Sequence, residues 1–188
     1  MKFVKWFIIV VAVIFGLFVA VTFFLPKEYY VERSTEIEAP ALVVYMQAID
    51  LEAWQTWSPW TKYDPDMSII YGEKKAGTGA FYSWKSDVTG DGTMTIIDSK
   101  SPEFVRYELI FEGYEDQPGF ASIILAAASP MGPTKVTWTY EGNVGDKFFA
   151  RWLAVLMDKF LGPGYEEGLA NLKAKSEAIS ESPGLELP

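Results

Sequence analysis

The sequence predicts an α+β fold behind a single transmembrane helix, with a bent antiparallel β-sheet around a long C-terminal α-helix. Three observations predict it. Residues 6–25 run for twenty positions without a charge. Six segments between about 68 and 142 alternate apolar with polar residues, and short turn clusters separate them. From Phe149 onward, apolar residues recur at helical spacing to the end of the ordered chain.

The charge-free run would make about 30 Å of helix, the thickness of one hydrocarbon core. Lys2 and Lys5 precede it and Pro26-Lys27-Glu28 ends it. A cleaved signal peptide would have a shorter apolar region and a small-residue site. Here the nearest candidate, Phe18-Val19-Ala20, begins with a bulky Phe. An uncleaved anchor is therefore expected over 1–27, with the N-terminus in the cytoplasm by the positive-inside rule. That places the remainder on the outer side of the membrane. With Gly16 as its one glycine, the span carries no G-x-x-x-G dimer face. Residues 1–25 hold two of the 16 basic residues and none of the 25 acidic ones, so the net charge moves from -9 to -11 on the remainder. They also hold seven of the 30 aromatics, so 23 stay with the domain.

Composition excludes several chemistries. With no cysteine and no histidine there is no disulfide framework, no thiolate nucleophile and no Ser-His-Asp arrangement. Zinc sites built on those residues are absent too. Lys2 stands where myristoylation needs glycine. The acidic balance argues against a nucleic-acid partner.

The domain is expected over 28–180. Residues 28–37 alternate and are rich in β-formers, giving a first strand. Pro40 opens a helix whose apolar face is Leu42, Val43, Tyr45 and Met46. Asp50 caps a second short helix carrying Trp54 and Trp57, and Ser58-Pro59 stops it. In the six strands that follow, Tyr82 and Trp84 share a face, as do Val105, Tyr107, Leu109 and Phe111, and Val136, Trp138 and Tyr140. A sheet with one aromatic and one polar face is covered on one side only. The expected cover is a helical stripe of Phe149, Leu153, Leu156 and Phe160, interrupted at Gly162-Pro163-Gly164 and resumed by Tyr165, Leu169 and Leu172. Residues 181–188 have breakers and no period, and read as a disordered tail.

This order of elements is that of a helix-grip fold. Five stretches carry a closer likeness: RSTEIEAP at 33–40, WSPW at 57–60, YSW at 82–84 with GDGTMTI at 90–96, TKVTW at 134–138 and GYEEGLANLK at 164–173. Together they resemble the START-like superfamily of polyketide cyclases, lipid-transfer domains and birch-pollen-allergen-like proteins, most nearly its bacterial branch, over about residues 28–178; that branch implies a bacterial inner (plasma) membrane for the anchor. The resemblance implies a cavity between sheet and long helix that admits an apolar ligand. Trp57, Trp60, Tyr82, Trp84, Tyr107, Trp138, Leu153 and Met157 would line it, to hold a lipid, polyketide or aromatic metabolite. The same residues could instead fill the space as ordinary core.

Other motifs weigh less. Asp87 to Asp98 nearly matches a calcium loop but has Thr89 and Asp98 where ligands should differ, and it joins two strands. No metal and no cofactor are expected. Asp64 and Asp66 could pair as an acid–base couple, or simply close a turn. Arg33, Arg106 and Arg151 could meet a ligand carboxylate or form surface ion pairs. Binding of a hydrophobic small molecule without covalent chemistry is the favoured reading. A cyclase or dehydratase using Asp64, Tyr82 and Tyr107 is the alternative, weakened by the missing histidine. A protein-interaction module using the same groove is a third.

Overall fold

Helix α1 (Lys2–Phe24) contains most of the charge-free run; its side chains from Phe3 through the fourth turn are exposed, and Phe18, Thr22 and Phe23 near its end meet the start of the C-terminal helix. Its Phe3–Phe24 stretch is long and apolar enough to cross a membrane. The computed structural model describes residues 2–182. Of the expected tail, 183–188 lie outside the described residues, and Glu181 forms the C-cap of the last helix.

The domain begins with β1 (Glu28–Ile37), followed by α2 (Ala41–Ile49), α3 (Leu51–Gln55) and α4 (Trp60–Tyr63). Asp50 caps α3 as expected, its carboxylate accepting from the Glu52 and Ala53 amides. The sequence suggested two short helices. The third arises because Pro59 restarts the chain at the first position of a new turn, in a helical backbone conformation.

Six strands follow: β2 (Ser68–Tyr71), β3 (Phe81–Lys85), β4 (Gly92–Lys100), β5 (Phe104–Phe111), β6 (Gly119–Ala127) and β7 (Thr134–Asn143). They form an antiparallel meander, and β1 closes it by pairing with β7 over ten residues, giving the order β1-β7-β6-β5-β4-β3-β2. A bulge between Ile96 and Asp98 in β4 bends the sheet. The face assignments from alternation hold. Tyr82, Trp84, Val105, Tyr107, Val136, Trp138 and Tyr140 are all buried on one face. The other face carries polar pairs such as Ser34–Thr137, Ser83–Thr93 and Arg106–Glu141.

Helix α5 (Ala150–Ser180) runs unbroken through Gly162-Pro163-Gly164, against the expected interruption. The glycines serve close approach. A Cβ at Gly162 would collide with the Arg33 guanidinium, and one at Gly164 would stand 3.0 Å from the Trp60 ring. Pro163 faces solvent, so the chain forgoes one backbone hydrogen bond on the exposed side of the helix.

The helix also covers the sheet differently from the expectation. Its second half packs inward through Tyr165, Leu169 and Leu172, while Phe149, Leu153, Leu156 and Phe160 are exposed. The reason is where α5 is fastened, chiefly along β1. Arg33 donates to Asp158 at 2.7 Å and Glu166 at 2.8 Å, Lys173 donates to the Glu36 carbonyl, and Glu177 accepts the Glu38 amide at 2.8 Å. These contacts fix the rotation of α5 about its axis and leave the 149–160 stripe outside.

These contacts give α5 a pH dependence. The Arg33 hydrogen bond lowers Asp158 below its ordinary 3.8. The Glu38 amide and Lys173 lower Glu177 below 4.5, and Lys62 with Tyr63 lowers Glu167 below 4.5. A depressed folded value means stability that is present above the ordinary value and is lost as pH falls through the folded one. We expect α5 to loosen from β1 and α4 on acidification below about pH 4.5. Hydrogen exchange of the 165–180 amides should report it, and Asp158→Asn with Glu177→Gln should flatten the response. Amide protection independent of pH between 6 and 3 would refute the assignment.

Candidate functional site

The space between sheet and helices is occupied at its centre by the chain's own rings. Trp138 stacks on Tyr165 from α5 with ring centres 3.9 Å apart. Trp54 and Trp57 meet it edge-on at 5.4 and 5.5 Å, and Trp54 also lies 5.0 Å from Tyr107. The Tyr107 hydroxyl donates to the Ala48 carbonyl at 2.7 Å, and Trp57 Nε1 donates to the Gln47 carbonyl at 3.0 Å. Both bonds tie α2 to the cluster. Two buried indole donors have no such partner: Trp54 Nε1 and Trp138 Nε1 find no acceptor among the described residues. Most buried polar groups are paired, so two orphans in one cluster are a specific feature of this interior.

Toward one end of the sheet the packing thins. There Tyr29, Leu109 and Phe111 are only partly buried, as are Met157 and Leu161 on α5. The register puts glycine opposite each of the three strand residues: Gly142 across from Tyr29, Gly119 from Leu109 and Gly92 from Phe111. The rings of Tyr29, Tyr140 and Trp84 lie over these glycines, where any Cβ would collide with them. Glycine within a strand marks such a close approach. The result is an aromatic shelf with Trp84 and Phe111 edge-to-face at 5.5 Å and Tyr29 beside Tyr140 at 5.5 Å. A shallow groove of about 670 Å³ runs along the outer lip of this end, past Tyr29, Tyr30, Gln117, Phe120 and Gly142. This is the end at which α1 joins β1.

The eight residues expected to line a cavity therefore divide. Trp57, Tyr107 and Trp138 belong to the central cluster. Tyr82 and Trp84 lie next to each other at 5.9 Å, leading toward the shelf. Trp60 is half-buried against α5 and the Tyr63 ring, and Met157 is half-buried on α5. Leu153 is corrected: it lies on the exposed side of α5, because α5 meets the sheet through its second half. Sequence reasoning placed Tyr165 only in the covering stripe and did not single out Tyr29 or the Trp54 donor. The facing glycines at 92, 119 and 142 were the available signal for the shelf.

Burial dominates the acid–base properties of the interior. It raises Tyr82 to about 12 and raises Tyr107, Tyr140 and Tyr165 as well. These hydroxyls are neutral at physiological pH and give up a proton only in strong base. Asp64 uses its carboxylate locally, accepting the Asp66 amide at 3.2 Å. Among the described residues no group of three or more acidic side chains could hold a metal ion. Asp91, in the calcium-like stretch, accepts the Ser86 amide and closes the β3–β4 turn.

Arg106 pairs with Glu141 on the outer face, and Arg33 holds α5. Arg151 does neither of the two things considered for it. Its guanidinium donates to the Phe23 carbonyl at 2.8 Å and the Thr22 carbonyl at 3.3 Å, at the end of α1.

Comparison with known proteins places this geometry. The family model described as polyketide cyclase / dehydrase and lipid transport matches residues 30–177. No curated protein sequence matches the chain. Among solved structures, a protein from Chromobacterium violaceum superposes with a TM-score of 0.56 at 17% identity, covering 79% of this chain and 96% of its own. The allergen Ara h 8.0201 does so with a TM-score of 0.56 at 13% identity, covering 80% and 99%. Norcoclaurine synthase from Thalictrum flavum, in complex with dopamine and hydroxybenzaldehyde, gives 0.52 at 14% identity, covering 82% and 89%. At these identities the likeness is one of fold: the helix grip.

Proposed function

Since the chain belongs to the polyketide cyclase / dehydrase and lipid transport family, we propose that it is a membrane-anchored binding domain for an apolar small molecule. The molecule is a lipid, polyketide or aromatic metabolite. α1 spans the inner membrane with its N-terminus in the cytoplasm, and the domain stands on the outer side. Binding is by desolvation, without covalent chemistry or cofactor. The observation that carries this reading is the half-buried apolar shelf running into an aromatic interior. A ligand on the shelf covers Tyr29, Leu109, Phe111 and Met157. Trp60, Tyr82 and Trp84 frame it, and Trp57, Tyr107 and Trp138 form the packed interior behind them. The aromatic pair bound by the Thalictrum enzyme supports this choice of ligand class. Neutral tyrosines favour binding over acid–base work at physiological pH.

The test is native mass spectrometry of the full chain released from its membrane in mild detergent. A co-purifying apolar molecule is expected. Phe111→Ala removes apolar surface from the shelf and leaves the central cluster in place, and should weaken retention roughly five- to tenfold. Absence of any adduct, with no uptake of fatty acids, sterols or aromatic probes, would sink the proposal. Protease accessibility in spheroplasts checks the orientation separately.

A further inference from the structure

Four large apolar side chains stand on the outside of α5 within one arc of about 60°, at 100° per residue. They are Phe149, Leu153, Leu156 and Phe160, exposed by 64%, 46%, 39% and 61%. They form a continuous face about 18 Å long. We propose that this face is seated in the bilayer interface, so that the first three turns of α5 form a second membrane contact beside α1. The proposal rests on reading α1 as a membrane span.

The joint between the two helices sets the depth. Phe18 of α1 stacks on the Trp152 ring at 4.9 Å, with planes 4° apart, and on Phe149 at 6.4 Å. Phe23 meets Phe148 edge-on at 5.0 Å. Phe18 is seven residues before Leu25, the end of the apolar run, so it lies about 10 Å inside that boundary in a helix along the membrane normal. Whatever touches Phe18 shares that level. An interfacial helix sinks about 5–10 Å, so a spanning α1 carries the start of α5 to the depth such helices occupy.

Most polar groups of the joint are paired within it, Arg151 Nε being the exception among the described residues. Thr22 Oγ1 donates to the Phe18 carbonyl at 2.7 Å and accepts from Trp152 Nε1 at 2.8 Å. Arg151 covers the Thr22 and Phe23 carbonyls, which a helix end otherwise leaves open. Asp158 is turned away to Arg33, so no carboxylate interrupts the face. Lys159 lies to one side, where a long stem reaches lipid phosphate. Seating this face also brings Met157 and Leu161, at the thinly packed end of the domain, close to the membrane. An apolar ligand would then have a route that avoids water.

The chain has no cysteine, so an introduced one is unique. Leu156→Cys, Val13→Cys in α1 and Met131→Cys in the far β6–β7 turn would each be labelled with an environment-sensitive fluorophore. The full chain would then be placed in phosphatidylethanolamine/phosphatidylglycerol vesicles containing spin-labelled lipid. Quenching at 156 is expected to exceed that at 131 by about threefold or more and to approach that at 13. Strong quenching at 13 with position 156 no better than 131 would overturn the docking and leave the anchor. No quenching at 13 would remove both. Protection of 156 from lipid and from aqueous iodide, with disulfide cross-linking between chains, would assign the face to a second copy and overturn the proposal. Leu153→Cys repeats the measurement should the first variant fold poorly.

Discussion

Replacing Trp138 with alanine should lower the free energy of unfolding by about 4 kcal/mol, the middle of the range for deleting a buried aromatic. The side chain is 1% exposed. It joins β7 to both helical layers at once, through the Tyr165 stack on one side and the Trp54 and Trp57 edges on the other. Those neighbours are themselves rigid rings, so the site cannot collapse around the space left behind. The residual cavity contributes to the cost alongside the lost transfer energy. A domain of this size has about 5–15 kcal/mol in all, so the variant would sit near the edge of folding. Urea unfolding followed by tryptophan fluorescence and far-UV circular dichroism measures it. A loss under about 1 kcal/mol would mean that the interior is loose enough to repack, and that the cluster is not the filled core described above.

The faces of this sheet were readable because strand alternation has a period of two, and one polar residue out of step would have shown. Tyr82, Tyr107 and Trp138 were therefore placed on the correct side from sequence. Whether they bound a cavity or closed it was not readable. That depends on Trp54, Trp57 and Tyr165 arriving from elements far apart in the chain, and spacing within a strand says nothing about what arrives from elsewhere. The α5 stripe failed for a related reason. A helical period identifies an apolar face but not the medium it meets. Phe149, Leu153, Leu156 and Phe160 satisfy the period as well facing outward as they would against the sheet. What decides is Arg33, five residues into β1, whose bonds to Asp158 and Glu166 set the rotation of the helix. The glycines at 162 and 164 read as a break because nothing local shows that Arg33 and Trp60 come to lie there.

Gly168 is where this geometry makes its second large demand. Glycine inside a helix normally costs about 1 kcal/mol relative to alanine, so substitution on propensity alone would stabilise. At Gly168 the new Cβ would stand 2.6 Å from Cζ3 of Trp138 and 3.1 Å from Cδ of Pro59. Trp138 cannot yield, being held by Tyr165, Trp54 and Trp57, and α5 cannot lift without stretching its Arg33, Glu38 and Glu36 contacts. Gly168→Val, which adds branched methyls to that overlap, should cost about 3 kcal/mol. Gly164→Ala is the matched control. Its Cβ meets only the rim of the half-buried Trp60 ring at 3.0 Å, which can shift, so propensity should dominate and the change should be small. The two large effects should also couple. In a Trp138→Ala background the valine at 168 fills part of the space the indole vacated. The double variant should then be more stable than the sum of the single losses by about 1–3 kcal/mol. Strict additivity would show that the clash is relieved elsewhere, and that Trp138 is not what holds glycine at 168.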